Sequence, residues 1–77
     1  MLGALILAER RKRGWSQAEL GRRAGLSSTR VWEIEAGRAL RVSRPTVVRL
    51  AAALELPVER LEAAAGRQLL RERRPLP

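Results

Sequence analysis

Apolar residues recur along this chain at helical spacing in five blocks, and nowhere do they alternate with period two over a useful length. The first block covers residues 2–13. Leu2, Leu5, Ile6 and Leu7 supply its apolar face, and Gly14 stops it. Arg10, Arg11, Lys12 and Arg13 close the block as cations at the negative end of a helix dipole, which accounts for Arg11, Lys12 and Arg13 as a solvated helix end. The second and third blocks form one unit over residues 17–37, QAELGRRAGLSSTRVWEIEAG. Ser16 caps its first helix, with Glu19 three residues on as the partner of a capping box. That helix runs to Ala24, and Gly25 stands where the chain must turn through a left-handed conformation. Ser27 caps the second helix, which ends at Gly37. Trp15 with Leu20, and Leu26 with Val31, have the spacing of hydrophobic staples.

The fourth block begins at Ser43, a further cap, with Pro45 tolerated in the first turn and Val42 and Val47 at staple spacing. Val47, Val48, Leu50, Ala51 and Leu54 form its apolar side. Leu56-Pro57-Val58 then leads into a short fifth helix over residues 59–65. Residues 66–77 form a basic tail, which either extends as a helix over 68–73 or stays disordered. Within the central unit, Leu20, Ala24, Val31 and Ile34 point into the angle between its two helices. Gly21 costs about 1 kcal/mol against alanine in a helix. The second helix crossing close above it is a physical reason for that cost.

The stretches GWSQAEL, AGLSSTRV and IEAG resemble the helix-turn-helix of the Cro/C1 (XRE-like) repressor family, and the likeness spans residues 5–65 approximately. The resemblance implies an all-α fold: a compact five-helix, lambda-repressor-like DNA-binding domain over residues 1–66, followed by the tail 67–77. It implies that Arg10 pairs with Glu35 to brace the DNA-reading helix. It implies that Gln17, at the positive end of its helix, helps hold a phosphate. It also implies a two-fold dimer contact near the end of the domain, for which Leu56, Val58 and Leu61 are the candidates; closing the monomer core is the plainer role for the same residues. The chain departs from the family at four points. Glu9 stands where many relatives are apolar, one residue is inserted after Gly37, Val42 replaces a common proline, and Glu55 replaces a helix-ending glycine. At Glu55 either the turn is strained or the helix runs on.

Composition narrows the function. The chain has 77 residues, a length for one domain that buries about 60–65% of its extended surface. Its formal charge is +8, and 15 of its 16 basic residues are arginine. A compositional bias explains arginine over lysine but not the excess of positive charge, which suits contact with phosphates. Cysteine, histidine and aspartate are absent and all 8 acidic residues are glutamate. A thiolate or histidine metal site and a Ser-His-Asp arrangement are therefore excluded, and no cofactor is expected. Glu33 and Glu35 are two apart on a helix and do not face each other, so the chain is not expected to be an enzyme. No stretch has the length of a membrane span, and a cytoplasmic location is expected.

The chemistry then falls on the second motif helix. Ser28, Thr29, Trp32 and Glu33 lie on its outer side, where the hydroxyls, the threonine methyl and the carboxylate can meet base edges in a major groove. Glu33 equally well orients Arg30 or another arginine. Trp32 either covers sugar and base-edge surface or packs on the loop 38–42. Arg38, Arg41 and Arg44 flank the far end of this helix as a candidate phosphate clamp. The expected partner is double-stranded DNA, bound by a homodimer acting as a repressor. Two alternatives remain: an antitoxin, which binds a toxin protein as well as DNA, and a restriction-modification controller protein. Neighbouring genes discriminate them.

Overall fold

The computed structural model describes residues 1–70 and contains five helices: α1 (Leu2–Lys12), α2 (Gln17–Ala24), α3 (Ser28–Glu35), α4 (Arg44–Leu54) and α5 (Val58–Ala65). Serine starts three of them. The hydroxyls of Ser16, Ser27 and Ser43 accept from the backbone N–H of Glu19, Arg30 and Thr46 respectively. Each satisfies one amide that has no partner within its own helix. The capping box at Ser16 is only half made, because the Glu19 carboxylate turns outward to Arg22 and Arg23. Gly25 takes φ 70° and turns the chain from α2 into α3. Glu55 takes φ 55° at the end of α4, so the helix stops there on a residue that is not glycine. That conformation costs about 1–2 kcal/mol for a residue with a Cβ.

The core is one apolar cluster to which every helix contributes. Leu2 and Ile6 of α1, Leu20 of α2, Val31 and Ile34 of α3, Val47, Leu50 and Leu54 of α4, and Leu61 of α5 are fully buried. Val48, assigned to the apolar side of α4 from its spacing, lies outside this cluster and is exposed. Leu61 also needs correction. With 0% of its surface accessible, it is enclosed by its own chain and has no face to offer a second copy. Leu56 and Val58 are only half-buried at the edge of the cluster.

Two glycines set how closely the elements approach. A Cβ on Gly21 would lie 2.5 Å from the Leu26 carbonyl oxygen, so the close approach is with the turn before α3 and not with α3 itself. A Cβ on Gly3 would run into the carbonyl oxygen of Ile34 and lie 2.8 Å from that of Glu35. α1 therefore crosses the last turn of α3 with its backbone nearly in contact. Nothing in the spacing of apolar residues singles out Gly3.

The basic run ending α1 is not uniformly solvated. Arg13 donates to the Glu9 carboxylate at 2.9 Å and carbonyl at 2.7 Å, and through its other terminal nitrogen to the Leu54 carbonyl at 2.5 Å. It thus ties α1 to the negative end of α4, where a cation is favoured. Glu9 is buried and also faces Arg60 of α5 and Lys12. The hydrogen bond from Arg13 lowers its carboxyl pKa; burial opposes this, and the charges of Lys12, Arg13 and Arg60 reinforce it. The departure at Glu9 is thereby explained: a carboxylate replaces an apolar contact and gathers cations from two helices.

The chain beyond α5 does not leave the domain at residue 66. Gly66 turns it with φ 53°, residues 66–68 make one turn of 3-10 helix, and Leu69–Leu70 (β2) pairs in parallel with Val42–Ser43 (β1). Leu69 is buried, and Gln68 Nε2 donates to the Ala39 carbonyl at 3.0 Å. The expected boundary at 66/67 therefore falls inside the packed unit, and residues 68–70 do not continue as an α-helix. The fold is all-α, with this two-residue ladder as an addition. The tail arginines Arg71, Arg73 and Arg74 lie outside the described residues.

Candidate nucleic-acid interface

α3 is held from both sides, and its outer face is left open. Val31 and Ile34 are fully buried, whereas Ser28, Thr29 and Trp32 are exposed. The two hydroxyl residues lie in the first turn, immediately after the Ser27 cap, at the positive end of the helix. Glu33 is half-buried and lies 3.7 Å from Arg30, also of α3. Arg30 in turn donates to the Arg41 carbonyl at 3.2 Å, linking α3 to the loop that follows it. Trp32 is 46% exposed, with the Arg38 guanidinium 5.8 Å from its ring centre. The Arg38 guanidinium thus lies over the ring while nearly half of the indole faces water, a geometry compatible with both roles weighed for it.

The loop between α3 and α4 is braced from within. Ala39 and Val42 are buried, so the residues between them are pushed outward. Arg38 and Arg41 are exposed, and so is Leu40, at 81%. Leu40 was not singled out from the sequence. Only the burial of Ala39 before it and of Val42 two residues after it shows that it projects. Arg44 is exposed at the start of α4 and lies 3.4 Å from Glu62. An exposed pair of this kind contributes no more than about 1 kcal/mol, so Arg44 can exchange its carboxylate for a phosphate at little cost.

At the C-terminal end of α3, Glu35 is the hub of a compact polar network. Arg10 reaches it with two parallel bonds, from Nε at 2.7 Å and from a terminal nitrogen at 2.9 Å, and its third donor goes to the Trp15 carbonyl at 2.8 Å. Gln17 Nε2 donates to the same carboxylate at 3.0 Å. The side chains of Arg10 and Glu35 are 12% and 5% exposed. Burial pushes the Glu35 carboxyl upward. The hydrogen bonds from Arg10 and Gln17, with the charges of Arg10 and Arg11, outweigh it and leave the pKa below the usual carboxylate range. The hydrogen bond to Glu35 likewise raises Arg10. The network joins α1, the approach to α2, α2 itself and α3. It ties the last turn of α3 to α1 and to the start of α2. Gln17, assigned to a phosphate from the resemblance, spends one of its two amide hydrogens on Glu35 and keeps the other.

Trp15 lies beside this network, half-buried, with Arg23 stacked at 4.2 Å and Arg13 at 5.7 Å from its ring. No helix among the described residues is long and apolar enough to cross a membrane.

A family model described as a helix-turn-helix domain matches residues 1–64. Comparison with curated proteins and with solved structures gives no match.

Proposed function

Because the chain belongs to the helix-turn-helix domain family, of the XRE/Cro-C1 type, we propose that it is a sequence-specific transcription regulator that binds double-stranded DNA. α3 enters the major groove, where Ser28, Thr29, Trp32 and Glu33 meet base edges. Gln17 at the start of α2, and Arg38, Arg41 and Arg44 beyond α3, hold the flanking phosphates. The protein acts as a homodimer on a palindromic operator and represses transcription from it. Leu56 and Val58, half-buried at the edge of the core, form the dimer contact without Leu61.

One observation carries this reading: among the described residues, the glutamates of α3 and the one facing Arg44 each have a partner. Glu33 faces Arg30, Glu35 is held by Arg10 and Gln17, and Glu62 faces Arg44. The face therefore presents hydroxyls, an indole and arginines to an incoming polyanion, without an uncompensated carboxylate to repel it. A chain of net charge +8 gains non-specific affinity for any duplex, so affinity alone does not test the proposal. Selection of bound duplexes from a random pool does. Enrichment of a palindrome with half-sites about 34 Å apart is expected. Recovery of unenriched duplexes would overturn sequence-specific binding, and a single unrepeated site would overturn the dimer.

A further inference from the structure

We propose that Gln68 and Leu69 are positioning residues for DNA binding: they clasp the loop 38–43 from behind and so fix the arginines that meet phosphate. The family match ends at residue 64, so neither residue lies within the span it covers. Both nevertheless act on the loop that follows the reading helix. Gln68 Nε2 donates to the carbonyl of Ala39, between Arg38 and Leu40. Leu69 is buried, and it pairs with Val42 while Leu70 pairs with Ser43. Ser43 is the cap of α4, so the clasp reaches the start of the helix that carries Arg44.

The loop needs such support. Between the end of α3 and Val42 its other polar ties run from the backbone of Ala36 to Trp32, of Gly37 to Ile34, of Arg38 and Ala39 to Glu33, and from Arg30 to the Arg41 carbonyl, so among these ties Arg30 alone holds the loop beyond Ala39. It carries one residue more than the pattern it resembles and has valine where that pattern has proline. Proline would restrict φ but could donate nothing to a ladder. Valine leaves an N–H at the residue opposite Leu69, and the segment 66–70 supplies from outside the rigidity that a proline would have built in. An arginine on an ordered loop meets a phosphate without first losing the freedom of its backbone, whereas an arginine on a mobile loop binds only in the fraction of molecules that hold the docked form.

This inference rests on the DNA-binding reading, and its test separates the two. The substitutions are Gln68→Ala, Leu69→Ser and the pair together, none of which changes charge, with Leu69→Ile as the conservative control. Hydrogen exchange over residues 42–44 reports the ladder, since in a parallel pair alternate residues direct their N–H at the partner. Binding to one selected duplex and one random duplex is measured across a salt series. In the paired variant, faster exchange within residues 42–44 is expected with an unchanged helical spectrum. If the docked loop then falls to roughly a tenth of molecules, affinity falls about tenfold. It should fall alike on both duplexes, because phosphate contacts carry no sequence. The log–log salt slope should become shallower by up to about 0.9 for each clamp arginine left undocked in the complex, and Leu69→Ile should keep both affinity and slope at the parent's values. A structural role alone would lower the melting temperature and leave the slope of the folded protein unchanged. Parent-like affinity and slope in a variant whose loop amides exchange fast would overturn the clasp while leaving the DNA reading intact. A parent chain that binds no duplex would overturn both.

Discussion

Replacing Arg10 by methionine tests the network that braces α3 against α1 and α2. Methionine keeps much of the aliphatic bulk but removes two charge-assisted bonds to Glu35 and one to the Trp15 carbonyl. The Glu35 side chain, 5% exposed, then has Gln17 as its remaining partner among those hydrogen bonds. Breaking a buried ion pair from one side costs about 3–5 kcal/mol, because the surviving charge is left desolvated. The retained amide bond places the expectation near the lower end, about 3 kcal/mol. In a domain of this size each kcal/mol shifts the melting temperature by about 4–8 °C, so a fall of at least about 12 °C is expected. Replacing Glu35 by leucine in the same chain should recover much of the loss, since both charges are then gone. The pH dependence supplies a second, independent readout. In the parent, the folded-state pKa of Glu35 lies below its unfolded value. The unfolded chain therefore binds more protons, and this group's contribution is present above the unfolded pKa and is lost as pH falls through the folded one. In Arg10→Met burial is opposed only by Gln17 and Arg11, so the Glu35 pKa should rise relative to the parent. The loss of stability that the parent shows as pH falls should therefore shrink in the variant. Circular-dichroism melts from pH 4 to pH 7, compared with the double variant, isolate this term. A single variant that melts within 2 °C of the parent, with the same pH profile, would refute the reasoning.

Other outcomes follow from single features of the fold. Glu55→Gly removes a left-handed residue with a Cβ from the end of α4 and should stabilise by up to about 1 kcal/mol, seen as a higher denaturant midpoint at constant m-value. Ser28→Ala and Thr29→Ala should leave the melting temperature unchanged and weaken operator binding by about 1–3 kcal/mol with little effect on random duplex. Arg41→Ala should weaken both duplexes alike and lower the salt slope by about 0.9, and equal losses in all three variants would remove the reading role from the first turn of α3. Leu56→Glu should shift sedimentation from dimer to monomer with the fold retained, and a parent that is monomeric at operator-binding concentrations would sink the proposed contact.

The sequence by itself determined where the capped helices start and, Val48 and the end of α4 apart, most of where they stop and what they bury. Such features depend on neighbours within a few residues. The serine caps need only the amide three positions on, Gly25 only its own backbone, and the inward set Leu20, Ala24, Val31 and Ile34 only the helical period. The family was legible for the same reason, since GWSQAEL, AGLSSTRV and IEAG are local strings. The tertiary structure alone decided what lies between elements. Gly3 against the last turn of α3 joins residues some thirty positions apart, and nothing near Gly3 in the chain marks it. Arg13 read as one more cation at a helix end, but the Leu54 carbonyl was in reach, which no local spacing records. Leu61 and Leu56 are the same residue type five positions apart, yet one is sealed in the core and the other is half-open. The segment after Gly66 has the composition of a tail, and whether it pairs depends on an unoccupied edge at Val42 and Ser43, supplied by a loop that precedes it by some twenty-five residues. Burial and pairing across such distances follow from how helices cross, and crossing is set by the whole core at once.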